Sequence, residues 1–169
     1  MSAIALRPYL PADADRCAEI FRASVEELAN EDYSAEQRDA WAAAAADRAA
    51  FAARLAKALT LVAVIDGEAA GFASLRGADV VDLVYVDPRF ARRGVGAALI
   101  DALARLAAAR GAERLTSDVS DTARALFERQ GFEAERRNLV QHDGRWLANT
   151  TMTRRLAAPR AEASPPTRH

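Results

Sequence analysis

The stretch "VDPRFARRGVGAALIDAL", Val86 to Leu103, joins a strand-like end to an alanine-rich helical pattern through a proline, three arginines and two glycines. A strand that turns through glycine into a helix is a ready anion site. The first N–H groups of a helix lack internal partners, and the helix dipole adds partial positive charge there. Glycine lets a phosphate approach the main chain with no Cβ in the way. Arg92 and Arg93 add formal charge. The nucleoside-triphosphate loop needs G-x-x-x-x-G-K-[ST], and no such lysine follows here. The dinucleotide fingerprint needs a third glycine where Leu99 stands. A phosphate site of another kind and a merely tight turn both stay open on these residues alone.

Other residues could move protons or hold a ligand. Asp82 interrupts the apolar run "VVDLVYV". A carboxylate in a buried strand is costly unless it is paired or functional. Alternation puts it on the face of Val84 and Val86, with Tyr85 on the other. A salt bridge to a nearby arginine is the plainer reading of Asp82, and a core position that of Tyr85. Asp118, in "ERLTSDV", is a second candidate base or a cap for the following helix. His142 sits beside the turn "HDG" and reads as surface. Tyr33 and Trp41 are large aromatics in the helical N-terminal region. They either staple helices to a sheet or wall a pocket for an aromatic or cationic ligand.

These groups need elements to position them. "AIALRP" reads as a first strand, and Asp13 opens a helix with Cys17, Ile20, Phe21, Ser24 and Leu28 toward the core. Ser34 and Gln37 stand at capping-box spacing. Asp47 caps a third helix with Phe51, Leu55 and Leu59 on one face. "TLVAVIDGEAAGFASL" is a hairpin around Asp66-Gly67, and "VVDLVYV" a buried central strand. A helix spans Ala97 to Arg110, with Leu99, Ile100, Leu103 and Leu106 on one face and Gly111 as its stop. After "ERLTSDV", Ser120 or Asp121 caps a helix through Gln130. Gly131 ends it, with Phe127 and Phe132 placed for a hydrophobic clasp. Two last strands flank "HDG".

The chain of 169 residues has the size of one domain, and 51% hydrophobic residues suffice for a core. The expected domain spans 1–157, and 158–169, rich in proline and charge, reads as a disordered tail. A net charge of -1 gives no global basic footprint for nucleic acid. No apolar run reaches the roughly 20 residues of a membrane span, and "MSAIALRPYL" lacks a signal-peptide core. The single cysteine, Cys17, fits a reducing cytoplasm. Paired Cys/His spacing for a metal is missing, and the histidines are His142 and His169.

Two motifs in order change the weight of the glycine turn. "LVYVDPRFARRGVGAALIDAL" resembles the pyrophosphate-binding motif of the GNAT N-acetyltransferase superfamily, V-x-P followed by (Q/R)-x-x-G-x-(G/A). "SDTARALFERQGF" resembles the second half of that family's cofactor site, N-x-x-A-x-x-x-Y-x-x-x-G-F. The resemblance covers roughly residues 3 to 156. "DYSAEQRDAW", "VDLVYVDPRF", "ALFERQGFEAERR" and "LANTTM" are similar to the YafP-like subgroup of bacterial GNAT proteins.

The resemblance implies an α/β (α+β) fold. Its mixed, strongly twisted sheet of about seven strands would be splayed between strands 4 and 5, with acetyl-coenzyme A in the wedge. Val84 and Val86 would bond the pantetheine arm through their main chain. Arg92, Arg93, Gly94, Val95, Gly96 and Ala97 would line the pyrophosphate, with Ser120, Arg124 and Phe127 bordering the other side. Tyr33, Trp41 and Asn149 would meet the acceptor. Three departures stand out: Ala91 for the usual Gln/Arg, Ser120 for the usual Asn, and Phe127 for the tyrosine that often protonates the leaving thiolate.

The implied reaction is acetyl transfer to a primary amine of a small molecule or an exposed peptide, by direct attack on the thioester. An alkylammonium, with a pKa near ~10, must lose a proton first, and Asp82, Asp118 and Tyr85 are the candidate catalytic groups. A thiolate, near ~8.5, can leave without an acid, so Phe127 is tolerable. Phe127 equally motivates the alternative, a catalytically silent coenzyme A-binding sensor. A homodimer is compatible with either.

Overall fold

Turn chemistry and alternation build the sheet. In the computed structural model, which describes residues 2–157, β2 (Leu59–Ile65) and β3 (Glu68–Arg76) pair antiparallel around Asp66-Gly67. Both turn residues have positive φ, 50° and 79°, as a type I′ turn requires. β4 (Val80–Val86) lies on the far side of β3, and β1 (Ala5–Pro8) pairs with β2. β5 (Arg114–Ser120) runs parallel to β4, and the hairpin of β6 (Glu133–His142) and β7 (Arg145–Arg155) completes the order β1-β2-β3-β4-β5-β7-β6. This is the seven-stranded mixed sheet that the resemblance implies. The tail expected over 158–169 lies outside the described residues, as does His169.

Helices cover both faces. On one side, α1 (Ala14–Leu28), α2 (Ala35–Ala42) and α3 (Arg48–Lys57) enclose Cys17, Ile20, Phe21, Val25, Phe51 and Leu55 against Val62, Phe72 and Leu83. On the other, α4 (Val95–Ala109) sets Leu99, Ile100 and Leu103 against Ala73, Leu75, Val81, Leu115 and Met152. Each such aliphatic side chain contributes roughly 1.5–3 kcal/mol on burial. The short α5 (Arg124–Arg129) closes through its glycine stop. There the Phe132 N–H donates to Phe127 O, and the two rings meet edge-on at 4.9 Å.

The capping signals are realised with two exceptions, at the starts of α1 and α5. Ser34 and Gln37 exchange both bonds of the box, at 2.9 and 3.1 Å, and Asp47 accepts from the Ala50 N–H at 3.0 Å. Asp13 precedes α1, but its carboxylate turns back to the Leu10 N–H and to Arg7. Several boundaries differ from the periodic reading. Val25 and Ala29 take the core positions expected of Ser24 and Leu28, and Leu28 is exposed. Leu59 opens β2 rather than extending α3. α4 begins two residues earlier than expected, because the glycine turn itself starts the helix. α5 begins three residues late, after a turn in which Ser120 Oγ accepts from the Ala123 N–H.

Candidate active site

One parallel junction shapes the site. The register between β4 and β5 holds a single Cα pair, Val80↔Thr116, and Ser117 Oγ donates to Val81 O at 2.8 Å just beyond it. Past that point the strands part. The Asp87 N–H donates to Ala70 O on the β3 side. Alternation therefore turns the main-chain groups of Val84 and Val86 the other way, toward the opening.

The mouth of the opening is the glycine turn. Gly94, in the left-handed region at φ 83°, is the N-cap of α4 and leaves space where a Cβ would stand. Arg92 also has positive φ, 61°. Arg92 and Arg93 are exposed, and the Arg93 guanidinium sits 5.5 Å from the Phe90 ring centroid. Val95, Gly96 and Ala97 form the first turn, whose N–H groups have no helical partner. Gly96 has a second reason to lack a side chain. A Cβ there would come 2.8 Å from Leu126 Cδ2 on α5, so it lets the two helices flanking the opening touch. On the α5 side, Phe127 is buried, Ser120 caps the turn, and Arg124 is held by Glu128 at 2.9 Å.

Within the opening lies a cavity of about 250 Å³, with Asp82, Val84 and Tyr85 of β4 and Asp118 and Ser120 of β5 in its wall. Trp41, Phe127, His142 and Asn149 complete much of the rest. Asp82 does not share the face of Val84 and Val86, as simple alternation predicts. A bulge between Ser74 and Leu75 leaves it without a partner on β3. A bulge residue breaks the period of two. Val81, Val84 and Val86 then face α4, while Leu83 and Tyr85 join the cluster with α1 and α3. Asp82 meets α3 on that second side. Its carboxylate accepts from Arg54 Nε and Nη2 at 2.8 and 2.9 Å, with 9% of the side chain exposed.

Tyr85 packs edge-on to Phe21 at 4.6 Å and lies 6.3 Å from the Trp41 ring. Burial pushes its phenol well above the ordinary range. Asp118 is exposed at the rim and accepts from Thr151 Oγ1 at 2.7 Å. Asn138 donates to both Thr151 and Asn149, so a polar chain runs from β6 to Asp118. Tyr33 is buried behind Trp41, and its hydroxyl donates to Ala148 O at 2.6 Å and accepts from the Asp121 N–H at 2.9 Å. That hydroxyl ties the end of α1 to β7 and the β5–α5 turn.

His142 is the residue that sequence reasoning placed on the surface and the fold brings to the cavity. It ends β6, at the turn end of the hairpin with β7. Burial first, and then the Arg54 charge, hold its imidazole below the ordinary value. Arg16 and Asp87 were also missed. Their side chains meet at 2.5 Å where β4 ends, joined by Arg89 and Glu68. Among the described residues, no group of three or more His, Cys, Asp or Glu converges as a metal site would require.

Known proteins share this architecture. The chain matches the Acetyltransferase (GNAT) domain over residues 29–155. It is 36% identical over 152 residues to the uncharacterized N-acetyltransferase YafP of Escherichia coli K12, covering 90% of this chain and 96% of that protein. A crystal structure of a GCN5-related N-acetyltransferase from Rhodopseudomonas palustris is 56% identical and superposes with a TM-score of 0.90, over 92% of this chain and 98% of that one. A phosphinothricin acetyltransferase from Sinorhizobium meliloti, solved with acetyl-coenzyme A, shares the fold at 22% identity and a TM-score of 0.70, over 96% and 94% of the two chains. Parted strands, glycine turn, domain match and these relatives agree: the chain belongs to the GNAT acetyltransferase family.

Proposed function

We propose that the protein is an acetyl-coenzyme A-dependent N-acetyltransferase acting on a primary amine of a small molecule or an exposed peptide. The observation that carries this reading is the parting of β4 from β5, with the N-terminus of α4 at its mouth. A thioester arm needs a slot lined by main-chain donors and acceptors, and its pyrophosphate needs unpaired N–H groups and cations at one end. Val84 and Val86 offer the first; Arg92 to Ala97 offer the second, with no Cβ at Gly94. Ser120, Arg124 and Phe127 border the far wall. When bound, acetyl-coenzyme A supplies an activated acyl carbon and a thiolate leaving group.

The remaining cavity suits the amine. The whole cavity measures about 250 Å³, and Val84, Ser120 and Phe127 give part of it to the thioester arm, so what is left favours a small acceptor or a single side chain over a folded surface. Trp41 and Tyr85 give it aromatic walls, while Asp82 and Asp118 add negative charge. Such walls attract an ammonium group. Asn149 stands among them as a hydrogen-bonding group. Tyr33 acts behind Trp41, fixing the elements that carry the wall.

Incubation with acetyl-coenzyme A and a panel of primary amines tests this reading. Amine-dependent release of free coenzyme A is the expected result. Tight binding of acetyl-coenzyme A with no release to any amine would replace the enzyme by a silent coenzyme A sensor.

A further inference from the structure

We propose that His142 is the general base that takes the proton from the acceptor ammonium. This rests on the acetyltransferase reading above and assigns a role within the same site.

His142 is the one imidazole in the cavity wall. Asp82 is engaged on both oxygens by Nε and Nη2 of Arg54, with Arg76 3.8 Å from the oxygen that Nη2 bonds. Those bonds occupy a lone pair on each carboxylate oxygen. Asp118 accepts from Thr151 at the rim. The Tyr85 phenol, raised by burial, stays protonated through neutral pH. Imidazole is the side chain whose ordinary range lies nearest neutrality.

The charged and titratable groups around it come from several elements: Arg54 of α3 acts on it by charge, Asp82 and Tyr85 of β4 and Asp118 of β5 line the same cavity, Arg145 pairs with it across the hairpin on β7, and Asp143 is next in the turn. Trp41 of α2 adds an apolar wall. In this setting burial and the Arg54 charge favour the neutral ring. A neutral ring nitrogen in the cavity is what an incoming ammonium requires.

The proton and bond changes close. One N–H proton passes from the ammonium to the imidazole. The freed lone pair attacks the acyl carbon, so a C–N bond forms and the C–S bond breaks. The second N–H proton ends on the departing sulfur, and the imidazolium returns its proton to solvent. Nothing is oxidised or reduced.

Two probe amines separate this role from a structural one. Benzylamine is protonated at neutral pH and needs the base; phenylhydrazine presents a nitrogen that is already neutral. His142→Gln should lower kcat/KM for benzylamine by about 10²-fold and lower that for phenylhydrazine far less. The wild-type benzylamine profile should rise with pH through a limb below the ordinary imidazole range, and the variant should lack that limb. NMR titration of the wild-type imidazole signals, assigned by their loss in the variant, should give the same limb without turnover. Should the Gln variant fail to fold, His142→Asn and the wild-type titration carry the test.

Equal benzylamine rates in wild type and variant would overturn the proposal, as would a His142 that titrates above its ordinary value. A wild type that acetylates neither amine while binding acetyl-coenzyme A also contradicts it, because the cavity is open to amines of that size. Failure of the wild type to bind acetyl-coenzyme A would instead remove the acetyltransferase reading itself.

Discussion

Two aspartates five residues apart, Asp82 in β4 and Asp87 just past its end, are both held by arginines. At the C-terminal end, Asp87 is buried and receives Arg16, Arg89 and the Arg89 main chain. At the bulge, Asp82 receives Arg54 while its other side lines the cavity. The first end is saturated and ties α1 to the strand just before the glycine turn. The second keeps a face for a ligand. An ion pair of the same composition thus fastens two elements at one end of the strand and keeps one side toward the cavity at the other.

The comparison breaks most visibly at Asp87. Asp87→Ala takes from Arg16, a partly buried cation, its 2.5 Å carboxylate and leaves it Glu19 and Glu68 at 3.6 and 3.7 Å, so it should cost roughly 3 kcal/mol of stability in denaturant unfolding. Burial opposes ionisation of Asp87, but the bonds from Arg89 and Arg16 outweigh it and hold the carboxyl below its ordinary range. Its contribution is therefore complete above the unfolded carboxylate value near ~3.9 and fades as pH falls through the lower folded value. Thermal melts in that acid window should drop more steeply for wild type than for Asp87→Asn. Parallel curves would remove Asp87 as a fastener.

Tyr33 belongs with the fastening class despite standing next to the cavity wall. Tyr33→Phe strips the hydroxyl from Ala148 O and the Asp121 N–H, at an expected cost of about 2 kcal/mol. The KM for an amine acceptor should stay unchanged, whereas Trp41→Ala should raise it. A Tyr33→Phe variant with normal stability and a raised amine KM would move Tyr33 into the acceptor site.

Asp82 should show the smallest stability effect and a clear functional one. Its partner Arg54 is 44% exposed, so solvent screens the pair. Asp82→Asn should slow amine transfer by about tenfold, the loss of one electrostatic contact, with little change in the melting temperature. A loss of about 10²–10⁴-fold that shrinks at high pH would make Asp82 the base and displace His142.

Local signals account for how much of this was legible. Asp66-Gly67, the Ser34–Gln37 box and the Phe127–Phe132 clasp each depend on residues near one another in the chain, and each forms. The two cofactor motifs are local as well, which is why the parted strands between them were foreseeable. The bulge at Asp82 was not, because it depends on register with β3, and it turned the aspartate to the other face. His142 was hidden for the same reason. It sits 60 residues beyond Asp82 in the sequence, and only the position of the β6–β7 hairpin brings both to one cavity. Arg16 and Asp87 meet across 71 positions, a contact no periodicity predicts.

The central claim is that acetyl-coenzyme A lies between β4 and β5 with its pyrophosphate on the glycine turn. Two glycines allow a matched test. Gly94 and Gly77 both have positive φ, 83° and 60°, and open space at the Cβ position. Alanine at either should therefore cost a similar amount, on the order of 1 kcal/mol, in backbone strain alone. Gly77 lies between β3 and β4, at the opposite end of β4 from the turn. The measurement is the shift in unfolding free energy on adding acetyl-coenzyme A at a hundredfold excess over the wild-type Kd, about 2.7 kcal/mol for wild type by mass action. Gly77→Ala should keep that shift, and Gly94→Ala should lose most of it. Equal shifts in the two variants would place the cofactor somewhere other than the mouth of α4.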